Sequence, residues 1–256
     1  MFGITSSQYN IRTNNFLSRG SFTNETHRLA IEYLVRELSF NNYWSKFSAI
    51  YPFVGATSGN HSLNLISSSF TISWVGTVTH STTGVLFNGS TGYGNTNTIA
   101  SNLIGQNSSV GFYCRSLYGT GIELGTRGGS NADLMLYVDT VPTFKARMNS
   151  DTGTTIISNP ITTCQGLFSA TRFSSSSLEY YRNGVSIGTA TTAPNGPPNQ
   201  RPYIGAYNNG ADVAGNFSNK ELALVYFAST PLTAAEQIVF YNIVQQYQSL
   251  LGRSVN

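Results

Sequence analysis

The stretch Ser177-Leu-Glu-Tyr-Tyr-Arg-Asn-Gly-Val-Ser-Ile187 constrains the fold of this chain more than any other. Asn183-Gly184 separates two runs of extended-backbone formers. A two-residue type I′ turn needs positive φ at both central positions, and Asn-Gly meets that need best. Before the turn, Leu178 and Tyr180 share one face and Glu179 and Tyr181 the other. After it, Val185 and Ile187 alternate with Ser186 and Gly188. The segment predicts a β-hairpin, with Tyr181 and Arg182 as sheet surface, and an antiparallel sheet through the middle of the chain.

The surrounding texture extends that prediction. From Tyr51 onward, Gly55, Gly59, Gly76, Gly84, Gly89, Gly92 and Gly94 punctuate short runs of β-formers. Residues 70–78 alternate, with Phe70, Ile72 and Trp74 on one face. A strand at 85–87, a turn at Asn88-Gly89 and a strand at 93–96 follow. Further strands are expected over 110–118, 122–125, 133–139, 144–148, 154–157, 166–172, 202–206 and 221–227. So many short strands predict a two-sheet sandwich, because neither sheet can bury its apolar face alone. Leu222-Ala-Leu-Val-Tyr-Phe227 is apolar on both faces, as a central strand covered on both sides should be. The Pro/Gly/Asn stretch 193–202 reads as a loop.

Helices are expected only at the two ends. Residues 1–22 read as a polar, irregular arm. Thr23 or Asn24 can cap a helix running to about residue 39, on which Ile31, Leu34, Val35 and Leu38 recur at helical spacing. A short helical turn over 42–47 carries Trp44. This apolar surface is too small to fold alone, so it must pack on the following domain or on another chain. Residues 1–50 are therefore set apart from a sandwich over 51–256. Thr233 and Glu236 form a capping box that opens a helix over 234–251, and Gly252 stops it.

Composition excludes several function classes. Charged residues make up 10%, against roughly 25% in ordinary soluble domains. Ser, Thr, Asn and Gln must cover the surface, as on extracellular β-proteins and virion surfaces. The net charge of +3 is spread out and forms no basic run, so nucleic-acid binding is not expected. No apolar run is long enough for a membrane helix, and Met1 to Gly20 lack the pattern of a secretory signal. Cys114 and Cys164 read as free buried thiols or as one disulfide across neighbouring strands.

The order Tyr181-Arg182-Asn183-Gly184, then Tyr203-Ile204-Gly205, then 221–227, then Leu232-Thr233-Ala234-Ala235-Glu236 resembles the C-terminal part of a concanavalin A-like (laminin-G-like) jelly-roll sandwich. Leu86-Phe87-Asn88-Gly89-Ser90-Thr91-Gly92-Tyr93 is similar to the early strand–turn–strand of that fold. A narrower resemblance, to structural proteins of bacteriophages and prophages, rests on Trp44, Tyr51-Pro52-Phe53-Val54-Gly55, Thr79-His80-Ser81-Thr82-Thr83-Gly84 and the ending from Val244 to Arg253. It implies a spike, fibre or capsid-attached protein on the virion surface, made in the host cytoplasm, whose sandwich touches host-surface glycan. Residues 1–50 are then expected to meet other virion proteins and copies of the chain, through Ile31, Leu34, Val35, Leu38 and Trp44. A homo-oligomer is expected, a trimer being the form considered.

Catalytic chemistry finds little footing. Retaining glycoside hydrolysis needs two carboxylates about 5 Å apart. Glu123, Glu179 and Glu221 stand singly, and Asp133 and Asp139 lie six residues apart along one strand. No Gly-x-Ser-x-Gly elbow appears, and the Gly-rich turn at 125–129 lacks the Lys-Ser/Thr of a phosphate loop. His27, His61 and His80 are isolated in the sequence. No cofactor is expected. Asp212 with neighbouring Asn residues could hold calcium or form a polar turn. What remains is binding by aromatic, amide and hydroxyl groups in loops on a rigid scaffold. The candidate glycan-binding residues are Tyr207, Asn208, Asn209 and Asp212, then Tyr118, Arg127, Tyr93 and Asn95. A purely architectural decoration subunit and an unrecognised carbohydrate-active enzyme are the alternatives.

Overall fold

The computed structural model describes residues 6–128, 132–140, 143–150 and 161–255. The strand expected over 154–157 lies outside them. The chain opens with α1 (Ser6–Leu17), α2 (Glu25–Phe40), β1 (Phe47–Tyr51) and α3 (Ser58–His61). There follow β2 (Ser73–Val75), β3 (Val78–Ser81), β4 (Gly84–Phe87), β5 (Tyr93–Asn95), β6 (Ser108–Cys114) and β7 (Leu124–Arg127). Next come β8 (Asp133–Val138), β9 (Phe144–Ser150), β10 (Gly166–Ser174), β11 (Ser177–Arg182) and β12 (Val185–Ala190). The chain closes with β13 (Tyr203–Ile204), β14 (Tyr207–Asn208), β15 (Ala214–Gly215), β16 (Glu221–Ala228) and α4 (Ala234–Leu250).

Two eight-stranded sheets result. Sheet A runs β12-β11-β10-β6-β16-β4-β3, with β1 also on β16. Sheet B runs β15-β14-β7-β13-β5-β2, with the β8–β9 hairpin attached to β7. Between them lies a core that includes Phe87, Phe112, Leu136, Phe144, Phe168, Ile204, Val225 and Phe227. A second core fills the opposite face of sheet A. There Tyr113, Leu167, Leu224 and Tyr226 meet Leu34 and Val35 of α2 and Phe240, Val244 and Tyr247 of α4. Burying one such side chain contributes roughly 1.5–3 kcal/mol, so the helical layer is as much core as the sandwich interior. The two-sided apolarity of β16 has this cause.

The Asn183-Gly184 turn forms as its sequence dictates, with φ of +52° and +77°. It also abuts α4: a Cβ on Gly184 would sit 2.8 Å from the Ile238 Cα. Tyr181 is not open sheet surface. It is 1% exposed, because it pairs with Ser169 on the face where Tyr226 Oη donates to Ser169 Oγ and the helices cover both.

Several expectations need correction. Residues 70–78 do not form one strand. β2 belongs to sheet B and β3 to sheet A, and the chain changes sheets at Gly76, whose φ is +68°. Phe70, Ile72 and Trp74 nevertheless all pack on the main core. Sheet B is mixed rather than antiparallel throughout, since β14 runs parallel to β7 after a reversal at Gly205, with φ of +80°. The tight turn expected at Asn88-Gly89 is part of a longer connection between the sheets, in which Asn88 Oδ1 accepts the amides of Ser90, Thr91 and Gly92. Residues 47–51 form a strand, which the expected helical turn around Trp44 obscured.

The N-terminal segment is not an irregular arm either. Residues 6–17 are helical. Phe16 is fully buried against Phe22, with ring centroids 5.3 Å apart. Arg19 donates to Asn64 O at 2.7 Å. Ile31, Leu34, Val35 and Leu38 are each 0% exposed. The stripe assigned to subunit contacts is thus covered by the chain's own α4 and sheet A. Trp44 is half-buried beneath Arg12. Cys114 and Cys164 are both free and buried.

Candidate functional site

Helices α1, α2 and α4 pack on the outer face of sheet A, whereas among the described residues no helix side chain joins the apolar cluster on the outer face of sheet B. Strand alternation decides which side chains sheet B turns outward. On β8, Leu134, Leu136 and Val138 enter the main core, so Asp133, Met135 and Tyr137 point outward. On β9, Phe144, Ala146 and Met148 enter the core and leave Lys145 and Arg147 outside. On β7, Leu124 faces inward while Gly125 and Arg127 face outward. Tyr207 of β14 lies across Gly125, where a Cβ would stand 2.7 Å from the tyrosine ring. A side chain at 125 would lift Tyr207 off the sheet. Ile122, Met135 and Tyr207 pack together there, with Tyr137 beside them.

Around Tyr207 the charges converge. Arg127 Nε lies 3.5 Å from Asp133 Oδ1, and Arg147 Nη1 lies 3.2 Å from Asp133 Oδ2. The Asp133 carboxylate is fully buried, whereas the Arg127 side chain is 46% exposed. The Arg127 guanidinium stands 5.7 Å from the Tyr207 ring centroid. Burial, reinforced by the Asp133 charge and opposed by Arg127, pushes the Tyr207 phenol up to about 12, so it stays a neutral donor at ordinary pH. Its Oη has no hydrogen-bond partner among the described residues.

Two grooves flank this centre. One, of about 540 Å³, is lined by Arg127, Gly128, Gln200, Asn209, Gly210, Ala211 and Val213. The other, of about 340 Å³, is lined by Gly121, Ile122, Met135, Tyr137, Asp139 and Asn216. Asp139 is paired with Lys145 at 2.5 Å, and that hydrogen bond holds its carboxyl below the usual range.

The sequence candidates divide accordingly. Tyr207, Asn209 and Arg127 come together on this face. Asn208 and Asp212 reach the same loop but brace it from within. Asn208 Nδ2 donates to Arg201 O at 3.0 Å and to Asp212 Oδ1 at 3.3 Å, and its Oδ1 accepts the Gly210 amide. Asp212 pairs with Arg201 at 2.9 Å. Among the described residues no group of three or more His, Cys, Asp or Glu is placed to hold a metal ion. Tyr93 stacks on Tyr203 with ring centroids 4.5 Å apart, and Asn95 Oδ1 accepts the Asn97 amide, so both serve their own loops. Tyr118 is 64% exposed in the connection before β7, whereas Arg127 closes that strand. Asp133, Met135, Tyr137 and Arg147 were missed. Their alternation along β8 and β9 was legible, but which face would point away from the main core was not.

Two further pairings escaped the sequence. His61 and His80, isolated in the chain, meet with Nδ1 atoms 3.0 Å apart. Glu123 and Lys220 form an ion pair at 2.5 Å with both side chains fully buried. Ser218, Gly121 O and the Val138 backbone complete that network, which makes it a structural tie rather than an exposed reactive centre.

No protein-family model matches this chain, and no curated protein is similar to it. Solved structures are. Domain 4 of AbnA, an extracellular arabinanase from Geobacillus stearothermophilus in complex with arabinotriose, is 14% identical at a TM-score of 0.50, covering 78% of this chain and 98% of that one. Trypanosoma rangeli sialidase, solved as its covalent intermediate with 2,3-difluorosialic acid, is 15% identical at a TM-score of 0.55, covering 77% of this chain but 32% of the sialidase. A structure described as a receptor binding domain is 12% identical at 0.54, covering 80% and 53%. At these identities the likeness is one of fold alone.

Proposed function

We propose that this chain is a non-enzymatic, concanavalin A-like sandwich that binds glycan on the outer face of sheet B. The observation that carries this reading is the asymmetry of the two sheets. Sheet A is sealed by helices, while sheet B carries a half-exposed Arg127 and two grooves around a Tyr207 that is itself 5% exposed. A tyrosine, a half-exposed guanidinium and amide groups are the chemistry that holds sugar rings and hydroxyls. The structural likeness to proteins solved with arabinotriose and sialic acid supports the ligand class.

Binding without cleavage fits the acids on this face. Asp133 lies against two arginines, and the hydrogen bond from Lys145 holds the Asp139 carboxyl below its usual range, so Asp139 is not kept protonated as a general acid would be. On this proposal, the resemblance to phage structural proteins supports reading the module as a virion-surface homo-oligomer attached through residues 1–50. With the helical stripe buried, Ile11, Leu29 and Phe40, each more than half exposed, are among the described side chains that could make such contacts.

A glycan array probed with wild type and Arg127→Gln tests the binding reading. Wild type should bind a defined subset of glycans, and the variant should lose at least tenfold in signal. No binding by wild type would sink the proposal, and sugar release in a hydrolysis assay would overturn its non-enzymatic part.

A further inference from the structure

A second polar pocket lies on the other side of the molecule, in the helical layer. It has a volume of about 350 Å³ and is bounded by Arg12 and Asn15 of α1, by Arg19 just beyond it, by Trp44, and by Leu65 to Ser68. Arg12 lies over the Trp44 indole, 4.7 Å from its centroid, and donates from Nη1 to Ser39 Oγ at 2.8 Å. Arg19 is locked by three backbone carbonyls: Asn15 O at 2.9 Å, Ser67 O at 2.5 Å and Asn64 O at 2.7 Å. Among the described residues neither arginine forms an ion pair, although nine other pairs are present in the molecule. No acidic residue lines the pocket.

We propose that this pocket binds an anionic saccharide, one carrying a carboxylate or a sulfate group. Two guanidinium forks without a counter-charge are matched by a planar or tetrahedral oxyanion through charge-assisted, bidentate hydrogen bonds. Of the five donors on each guanidinium, Arg12 uses one and Arg19 three within the chain. Partial burial pulls both arginines down from their ordinary range, as it does for cations that lack a partner. The rest of the wall suits the body of a sugar. Asn15, Ser67 and Ser68 offer neutral hydrogen-bonding groups, and Trp44, Leu65 and Ile66 offer apolar surface. The Arg19 clamp fixes the pocket before any ligand arrives, which lowers the ordering cost of binding. This site is independent of the sheet B face.

The chain's two tryptophans make the test direct. In a Trp74→Phe background, Trp44 is the sole indole and sits under Arg12. Its emission is titrated with glucuronic acid, N-acetylglucosamine 6-sulfate, neutral N-acetylglucosamine and inorganic sulfate. At least one acidic sugar should give a saturable change, and which one responds identifies the anion. Arg12→Gln should weaken that response at least tenfold. Asn15→Asp, at an exposed helix position, should do the same by supplying an internal carboxylate, while Arg127→Gln should leave it unchanged. The assignment is overturned by no saturable change with either acidic sugar, or by an equal response to the neutral sugar or to inorganic sulfate. It is also overturned if Asn15→Asp retains binding or Arg127→Gln abolishes it.

Discussion

Arg253 should be among the costliest single side chains to remove. It lies just beyond α4, is 1% exposed, and has no carboxylate against its guanidinium among its hydrogen-bond partners. Instead it donates to Phe53 O at 2.6 Å, Pro52 O at 2.8 Å, Ala223 O at 3.0 Å and Gln248 Oε1 at 2.7 Å. These acceptors come from the β1–α3 connection, from β16 and from α4, so one side chain ties the helical layer to the central strand. Arg253→Met keeps much of the volume but takes from Phe53 O and Gln248 Oε1 their donor among the described residues, while Pro52 O and Ala223 O lose a charged donor and keep Tyr247 Oη and Gln248 Nε2. An unsatisfied buried acceptor costs about 1–3 kcal/mol, about 2–6 kcal/mol for these two, and the charge-assisted bonds lost at Pro52 O and Ala223 O add to it. Relief of the guanidinium's own desolvation offsets part of this, since the effective penalty for a buried ion is several kcal/mol. The expected net loss is about 3–5 kcal/mol, a large share of the roughly 5–15 kcal/mol of a typical domain. For a chain of this length it lowers Tm by roughly 6–20 °C, at about 2–4 °C per kcal/mol. Thermal melts followed by circular dichroism, with urea titration alongside, measure it. Arg253→Lys should lose nearly as much, because an ammonium cannot reproduce the fork. A loss under about 1 kcal/mol in both variants would refute the reasoning.

Two further expectations concern buried charge. Lys220→Met strands the Glu123 carboxylate in the sandwich and should cost about 3–5 kcal/mol, whereas adding Glu123→Leu should recover part of that loss; additive losses in urea unfolding would contradict an interacting pair. Burial, with His80, Arg253 and His27 nearby, brings the His61 imidazole down to about 3, so the folded state resists a proton that the unfolded chain takes up below about 6.5. Stability from this residue is full above the unfolded value and is lost as pH falls toward about 3. Between pH 7 and 5 wild type should lose about 2 kcal/mol more than His61→Asn, and equal pH slopes would remove His61 as the cause.

How much of this could be read from the chain depends on the range of the interactions. Asn183-Gly184, the Thr233–Glu236 capping box, the stripe Ile31, Leu34, Val35 and Leu38, and the two-faced strand at 222–227 are local patterns, and each formed as expected. Helix α1 was missed because its anchors, Phe16 on Phe22 and Arg19 on the Asn64 and Ser67 carbonyls, lie outside its own sequence window. The break between β2 and β3 was missed because Gly76 has no local reason to leave one sheet for the other.

The candidate site divides in the same way. Tyr207, Asn209 and Arg127 could be picked as residue types suited to sugar binding. Their company, Asp133 and Arg147, could not, because β8 and β9 reach them only through sheet pairing. The sequence determined the Asn183-Gly184 hairpin, the Thr233–Glu236 cap and the apolar faces of α2 and β16, since these depend on backbone propensity and on periods of two or 3.6 residues. Only the tertiary structure decided that sheet A takes the helices, that Tyr207 packs across Gly125 on sheet B, that His61 meets His80, and that among the described residues Arg12 and Arg19 share a pocket without a carboxylate. Those outcomes depend on which surfaces meet across long sequence separations, and no local pattern carries that information.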